Sequence, residues 1–492
     1  MNEAPNLAGS LPGNGLRREQ PLRLDRRFLL FTLLATLLLS WPLLVFGRPA
    51  YIQDSAAYYK GGRAAVSFAL GKLDRSEAAT KDAQPAQDAG LPTQPAEETA
   101  KDVSGVRSIT YSVAAYLLSA PGVTLVLLTI GQALATGALM VAALGAFGGL
   151  PAGRTTAALI VLAGTTTAAP VAFFAIPDIF AGLLIGSMVL LTTVASRLSP
   201  GVRLLCAAIA TFAVTAHASH IPLAGGLTIL GLGWIAISRH YERPLPQWTW
   251  AWVVAPLVVS GLTILALNRV AFGETSLAAK RYPFVLARSI NNGPGRWYLE
   301  EHCPELHYTI CTLYPDGLPK GGALEFLWGK NGVVERATPA QMDRIRAEEA
   351  DIVLAAAGEY AGYEARKLTF NIARQLVRFR PYPFLSRLSL DHTGTPQLAP
   401  APQGNERPLF IIGVLTAISA AIGTLCLGWI FLRKRPLRPV IALMFLGIIG
   451  NAATCVLLAA VAHRYQARVI WLVPLFALAL LGSIHRGVHR LD

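Results

Sequence analysis

Long apolar runs, separated by short polar loops, dominate the pattern along this chain. Candidate spans fall at 28–46, 120–147, 155–176, 178–195, 203–219, 221–238, 249–271, 409–432, 439–462 and 467–484. Most reach or approach the ~20 residues that a helix needs to cross a bilayer. Only helices or closed barrels satisfy their backbone inside hydrocarbon. The pattern therefore predicts an all-α polytopic membrane protein with about ten transmembrane helices. Two polar stretches interrupt it, a first loop at 48–119 and a small domain of mixed character at 272–407.

The first loop divides further. Tyr59, Val66, Leu70 and Leu73 recur at helical spacing, which predicts an amphipathic surface helix over 57–73. Residues 74–102 are rich in Ala, Gln, Pro, Asp and Glu and predict a disordered insertion. Val106, Ile109, Val113 and Leu117 then mark a second surface helix over 105–118. In the later domain a helix is expected from Ala340 to about Ala357, after Pro339. A second is expected from Tyr363 to Phe379. Its apolar stripe of Leu368, Ile372, Leu376 and Phe379 is surrounded by Arg366, Lys367, Arg374 and Arg378. That stripe suits either the outer leaflet or an ordinary domain core.

Composition agrees with a membrane protein. Of 492 residues, 53% are hydrophobic and 15% charged, and the mean hydropathy is +0.45. The net charge of +14 is not a nucleic-acid patch, because it is dispersed. Arg17, Arg18, Arg23, Arg26 and Arg27 lie in the tail 1–27. Arg154, Arg197, Arg203, Arg239, Arg243, Arg433, Lys434, Arg435, Arg438, Arg486 and Arg490 punctuate the short loops and the C-terminal end. The positive-inside rule places these segments, and both termini, in the cytoplasm. The first run is preceded by a long polar region and followed by no small-residue cleavage site, so it reads as a retained span. The organisation expected is a cytoplasmic tail 1–27, a transmembrane module 28–271, a periplasmic domain 272–407 and C-terminal transmembrane helices in 408–492 of a bacterial inner membrane. One outside loop breaks the charge rule, with His463, Arg464, Tyr465, Gln466 and Arg468. Anion binding and pairing with lipid head groups explain it equally well.

Candidate chemistry gathers at the outer rim. Asp54 follows the first span directly, flanked by Arg48, Lys60 and Arg63. An ionisable group at a membrane boundary is costly unless it is paired or functional. It is read as a general base or as a partner for those cations. Asp178 opens a span after Pro177, where a carboxylate also suits a helix start. The two acids divide the roles of proton acceptor and orienter if they face one cavity, or hold a divalent cation such as Mg or Mn. His217 and His220 flank Ser219 at the outer end of a span, and imidazole donates well to phosphate. Arg107, Arg464 and Arg468 offer the planar fork that suits phosphate and pyrophosphate. Cys303 and Cys311 are disulfide candidates, whereas Cys206, Cys426 and Cys455 lie within spans. His302 and His307 fit no familiar zinc spacing, so no metal site is assigned. No P-loop, dinucleotide fingerprint, His-Glu-x-x-His helix or nucleophile elbow is present.

The arrangement resembles the GT-C superfamily of integral-membrane glycosyltransferases over residues 28–240. The features that carry the resemblance are Asp54 just beyond span one, the surface helices at 57–73 and 105–118, the Arg107-Ser108 pair before span two, and Pro177-Asp178 at the outer start of span four. The chain departs from that pattern in having Ser55 where many members carry a second acid, in the 74–102 insertion, and in the late position of its outer domain. The resemblance implies a polyprenyl-phosphate-linked sugar as donor, and an envelope lipid, glycan or protein as acceptor. Transfer would invert the sugar with Asp54 as base, while Arg48, Lys60, Arg63, Arg107, His217, His220, Arg464 and Arg468 hold the departing phosphate. The rival readings are a lipid-linked glycan flippase, a glycan polymerase or ligase using Arg366, Arg374 and Arg378, and a non-catalytic envelope scaffold. A flippase would carry more polar residues inside its spans than Asn268 and Asn451.

Overall fold

The computed structural model describes residues 21–78, 107–119, 124–240, 246, 248–390, 396–400 and 406–485. The chain starts with α1 (Arg26–Leu39) and α2 (Trp41–Phe46). Asp25 caps α1 by accepting from the Phe28 amide at 2.8 Å. Pro42 breaks the ladder between the two helices, since it donates no amide hydrogen bond. After a short loop come α3 (Gln53–Ala78) and α4 (Ile109–Leu117), packed side by side. Gly62 permits this contact, because a Cβ there would overlap the Ser112 carbonyl. The expected insertion falls outside the described residues beyond Ala78; its first five positions continue α3.

The membrane module then runs through α5 (Val126–Gly148), α6 (Ala152–Thr165), α7 (Ala168–Ala172), α8 (Phe180–Thr193), α9 (Pro200–Ala216), α10 (His220–His240) and α11 (Thr249–Phe272). Among the described residues, seven helices are long and apolar enough to cross a membrane. They are Arg26–Phe46, Val126–Gly148, His220–His240, Thr249–Phe272, Arg407–Arg433, Arg435–Leu458 and Arg464–Ile484. The protein is thus a multi-pass helical membrane protein. The other three expected spans fall on shorter apolar helices. α6 has 14 residues, or about 21 Å, and ends where Thr166 turns extended before α7. α8 and α9 have 14 and 17 residues. α8 makes up for its length by position, being enclosed by α5, α9, α10, α11 and later helices, with almost every residue buried.

A polar domain follows, made of α12 (Phe284–Asn292), α13 (Pro294–His302), α14 (Thr309–Leu313), α15 (Ala323–Trp328), α16 (Val333–Arg336), α17 (Pro339–Glu359) and α18 (Ala361–Leu376). It has its own core of Leu286, Ile290, Ile310, Phe326, Val333, Met342, Ile345 and Ile352. Thr338 and Gln341 form a capping box at the start of α17. Cys303 and Cys311 are joined by a disulfide. A two-stranded antiparallel hairpin, β1 (Ser386–Leu390) and β2 (Pro396–Pro400), pairs Leu388 with Leu398. The chain closes with α19 (Arg407–Arg433), α20 (Arg438–Leu458), α21 (Arg464–Ile470) and α22 (Leu472–His485).

The polar domain is fastened to the membrane module in two places. Buried Gln375 on α18 donates to the Ala462 carbonyl and accepts from its amide, both at 2.9 Å. Leu376 and Phe379 pack against the membrane core. The apolar stripe of α18 thus lies partly on protein, at the end of α20. Beyond it, residues 380–385 cross the module as a strap. Tyr382 stacks on Phe174 at 4.6 Å and Phe384 on Phe46 at 4.4 Å.

Candidate functional site

The loop that carries Asp54 is held by backbone pairing. The Ala50 amide donates to Phe173 at 2.8 Å, and the Ala175 amide donates to Ala50 at 2.9 Å. This short parallel bridge ties the first loop to the segment that leads into Asp178. The Tyr51 hydroxyl donates to the Thr124 carbonyl. Ser55 then starts α3 by accepting from the Ile52 amide at 3.1 Å, leaving Asp54 in the first turn.

Asp54 meets Arg107, from the far side of the first loop, at 2.6 Å. Ser108 fixes that arginine's position. Its hydroxyl accepts from the Tyr111 amide at 3.2 Å and donates to the Thr215 carbonyl at 2.5 Å. The α4 start is thereby joined to the end of α9. Behind the pair, Tyr111 donates to Gln132 at 2.8 Å, and Gln132 donates to the carbonyls of Ala172 and Phe174 at 2.8 and 2.9 Å. The Asp54 and Arg107 side chains remain 29% and 26% exposed, so the pair stays open to solvent or substrate.

The second acid is built in differently. Asp178 and Arg468 pair at 3.3 Å with side chains 4% and 1% exposed. Arg468 also donates twice to Asn451 Oδ1, at 3.0 and 2.8 Å, and contacts Cys455 Sγ at 3.0 Å. The Asn451 amide in turn donates to the Tyr465 carbonyl at 2.7 Å. Gly182 makes room for this arrangement, because a Cβ there would stand 2.6 Å from the Arg468 carbonyl and 2.8 Å from the Trp471 ring. Among the described residues, nothing hydrogen-bonds the buried Asp178 Oδ2 and His220 Nε2.

Electrostatics connect the two pairs. The Tyr58 hydroxyl feels Arg107, Asp54, Asp178 and Arg464 together, while burial is the main cause that pushes it above its ordinary range. Tyr382, on the strap, is raised by burial first and lies within reach of Arg464 and Asp54. Arg464 interacts with both Asp178 and Asp54. Its guanidinium bonds the Tyr465 hydroxyl at 3.2 Å and sits 4.9 Å over that ring. Among the described residues it forms no ion pair with a carboxylate.

The expected site residues therefore sort themselves. Asp54, Arg107, Asp178, Arg464, Arg468, His217 and His220 fall within one electrostatic neighbourhood. The two histidine rings lie 5.3 Å apart. His217 Nδ1 bonds the Ser219 hydroxyl at 2.8 Å, and His220 Nδ1 bonds the Ala213 carbonyl at 2.6 Å. Arg48 is committed to the strap, donating to Phe384 at 2.8 Å and Phe46 at 3.3 Å. Lys60 and Arg63 lie further along α3 on its exposed face. Sequence reasoning gave no role here to Gln132, Tyr58 or Tyr382, and named Tyr465 only within the basic outer loop. It noted Asn451 only as a polar residue within a span. A lone amide in an apolar helix, as at Gln132 and Asn451, was the signal that could have found two of them.

A divalent cation at the two acids has little to hold it, since each carboxylate already meets an arginine. Among the described residues, the group whose possible ligand atoms come together is Glu301, His302 and Glu359, on the surface of the polar domain. There His302 Nε2 and a Glu359 oxygen are 3.0 Å apart. Hydrogen bonds from Tyr360 and then His302 hold the Glu359 carboxyl below its usual range.

Fold and site together define a multi-pass helical membrane protein with a docked polar domain and a charged cluster where the two meet. No family model, curated protein or solved structure matches this chain.

Proposed function

We propose that the chain is a membrane glycosyltransferase that moves a sugar from a polyprenyl-phosphate donor to an envelope lipid, glycan or protein, with inversion. The observation that carries this reading is the Asp54–Arg107 pair, open to solvent and within electrostatic reach of Arg464, which forms no ion pair with a carboxylate among the described residues. Arg107 holds Asp54 through Oδ1 and leaves the second carboxylate oxygen to take a proton from an acceptor hydroxyl. Arg464 meets the donor phosphate and stabilises the charge that develops as the sugar leaves. Arg468 and Asp178 are positioning residues, because both are buried and committed to each other. They hold the turn from which Arg464 projects. The N- and C-terminal ends then lie in the cytoplasm and the polar domain in the periplasm of a bacterial inner membrane.

The test is mass spectrometry of envelope glycans and glycolipids from cells carrying wild-type protein or Asp54→Asn, matched for protein level. Loss of one glycan with accumulation of its lipid-linked donor is the expected result. An unchanged profile at equal protein level contradicts the reading.

A second reading rests on the orphaned, buried Asp178 Oδ2 and His220 Nε2. Ionisable groups of that kind line proton paths in transporters. It would make the chain a flippase for a lipid-linked glycan. Movement of such a lipid across vesicles reconstituted with the wild-type protein, retained in Asp54→Asn, separates it from the first.

A further inference from the structure

A second basic site lies apart from the Asp54 cluster. A cavity of about 290 Å³ opens between α12, α18 and the end of α20. One wall is basic and polar, with Lys367, Arg374, Arg378, Asn371 and Asn291. The opposite wall is apolar, from Val456 to Val461, where a membrane-crossing helix ends. Asn371 is nine-tenths buried, lines the cavity and makes no side-chain hydrogen bond among the described residues. No carboxylate forms an ion pair with Lys367, Arg374 or Arg378 among those residues. The positive field reaches the next turn of chain, where burial and then the Arg378 and Arg380 charges hold the His463 imidazole below its ordinary value.

We propose that this cavity binds the phosphate of an anionic lipid headgroup. Three cations line one concavity, no carboxylate pairs with them among the described residues, and guanidinium forks match phosphate oxygens. Asn371 adds an amide donor at the cavity wall. The shared chemistry is a phosphate group, whether free or carried on a lipid. The apolar wall favours the lipid, because the first carbons below a headgroup would bury against Val456 and Val461. α18 presents Phe370 on its exposed side, 63% exposed, as a helix resting at a membrane boundary does. The site stands independently of glycosyl transfer, since none of its residues belongs to the Asp54 cluster.

The experiment measures binding of soluble short-chain phosphatidylglycerol to the detergent-purified full chain. Short-chain phosphatidylcholine and inorganic phosphate serve as comparison ligands. Phosphatidylglycerol should bind best, and Arg374→Gln with Arg378→Gln should weaken it by about tenfold or more. Arg366→Gln, on the same helix but outside the cavity lining, should change binding by less than about twofold. Asn371→Asp, nearly isosteric, puts a negative charge in the cavity and should also weaken binding by about tenfold. It keeps the test decisive if the double arginine variant does not fold. Equal binding by wild type and the Asn371→Asp protein overturns the proposal, as does equal weakening by Arg366→Gln. Inorganic phosphate binding as tightly as phosphatidylglycerol overturns the assignment to a lipid.

Discussion

Two acid–arginine pairs of the same chemistry sit in one electrostatic neighbourhood and are built for opposite purposes. Asp54 and Arg107 meet at 2.6 Å while about a quarter of each side chain stays exposed. Asp178 and Arg468 meet at 3.3 Å with almost no exposure. Arg468 is further tied to Asn451 and Cys455. A pair taken out of water fixes structure, because removing one member leaves a buried charge alone. A pair left partly in water contributes little to stability and remains free to exchange its partners for a substrate. Burial, more than distance, tells the two apart.

The largest effect is expected from breaking the buried pair. Asp178→Ala should lower unfolding stability by about 3–5 kcal/mol, read as a fall in melting temperature or in folded yield. Gly182→Ala attacks the same region without touching a charge. Its methyl group would press on the Arg468 carbonyl and Trp471, and overpacking of that kind costs about 1–3 kcal/mol. A variant with unchanged melting temperature would show that α8 shifts freely at this point. Cys303→Ser with Cys311→Ser removes a cross-link that closes a short loop. The expected cost is about 2–3 kcal/mol, confined to the polar domain, so hydrogen exchange should rise there and not in the membrane module. The smallest stability effect should come from Asp54→Asn, below about 1 kcal/mol. A double-mutant cycle with Arg107→Gln should give a coupling of the same small size, and a coupling of several kcal/mol would erase the contrast between the pairs.

Much of this arrangement was legible in the chain, and the limits have physical causes. The apolar runs gave the membrane module, because hydrocarbon forces apolar side chains onto every crossing helix. Three of the expected crossings, at 155–219, fall on the shorter apolar helices α6, α8 and α9. A helix sheltered by protein is as apolar as one facing lipid, so hydropathy alone does not separate them. Asp54, Arg107, Asp178, Arg464 and Arg468 stood out because charges at a membrane boundary need a reason. Their sorting into open and closed pairs did not stand out. It depends on Cys455 and Gly182, which are ordinary residues until the helices meet, and on Asn451, whose partner Arg468 lies on another helix. Arg48 looked like a phosphate ligand from its place beside Asp54, yet it serves the strap by bonding Phe384, 336 residues away. The apolar stripe of α18 fitted a lipid surface or a protein core. The Gln375–Ala462 hydrogen bonds and the packing of Leu376 and Phe379 assign part of it to protein.

The most direct measurement sets Asp54→Asn beside Asp178→Asn in the purified full chain and in cells. Melting temperature is read in the first setting and the envelope glycan profile in the second. The expected result is that Asp54→Asn melts close to wild type and loses a glycan, while Asp178→Asn loses folded protein. An Asp54→Asn protein that retains the full glycan profile, or that melts as low as Asp178→Asn, would contradict the assignment of chemistry to the open pair and structure to the buried one.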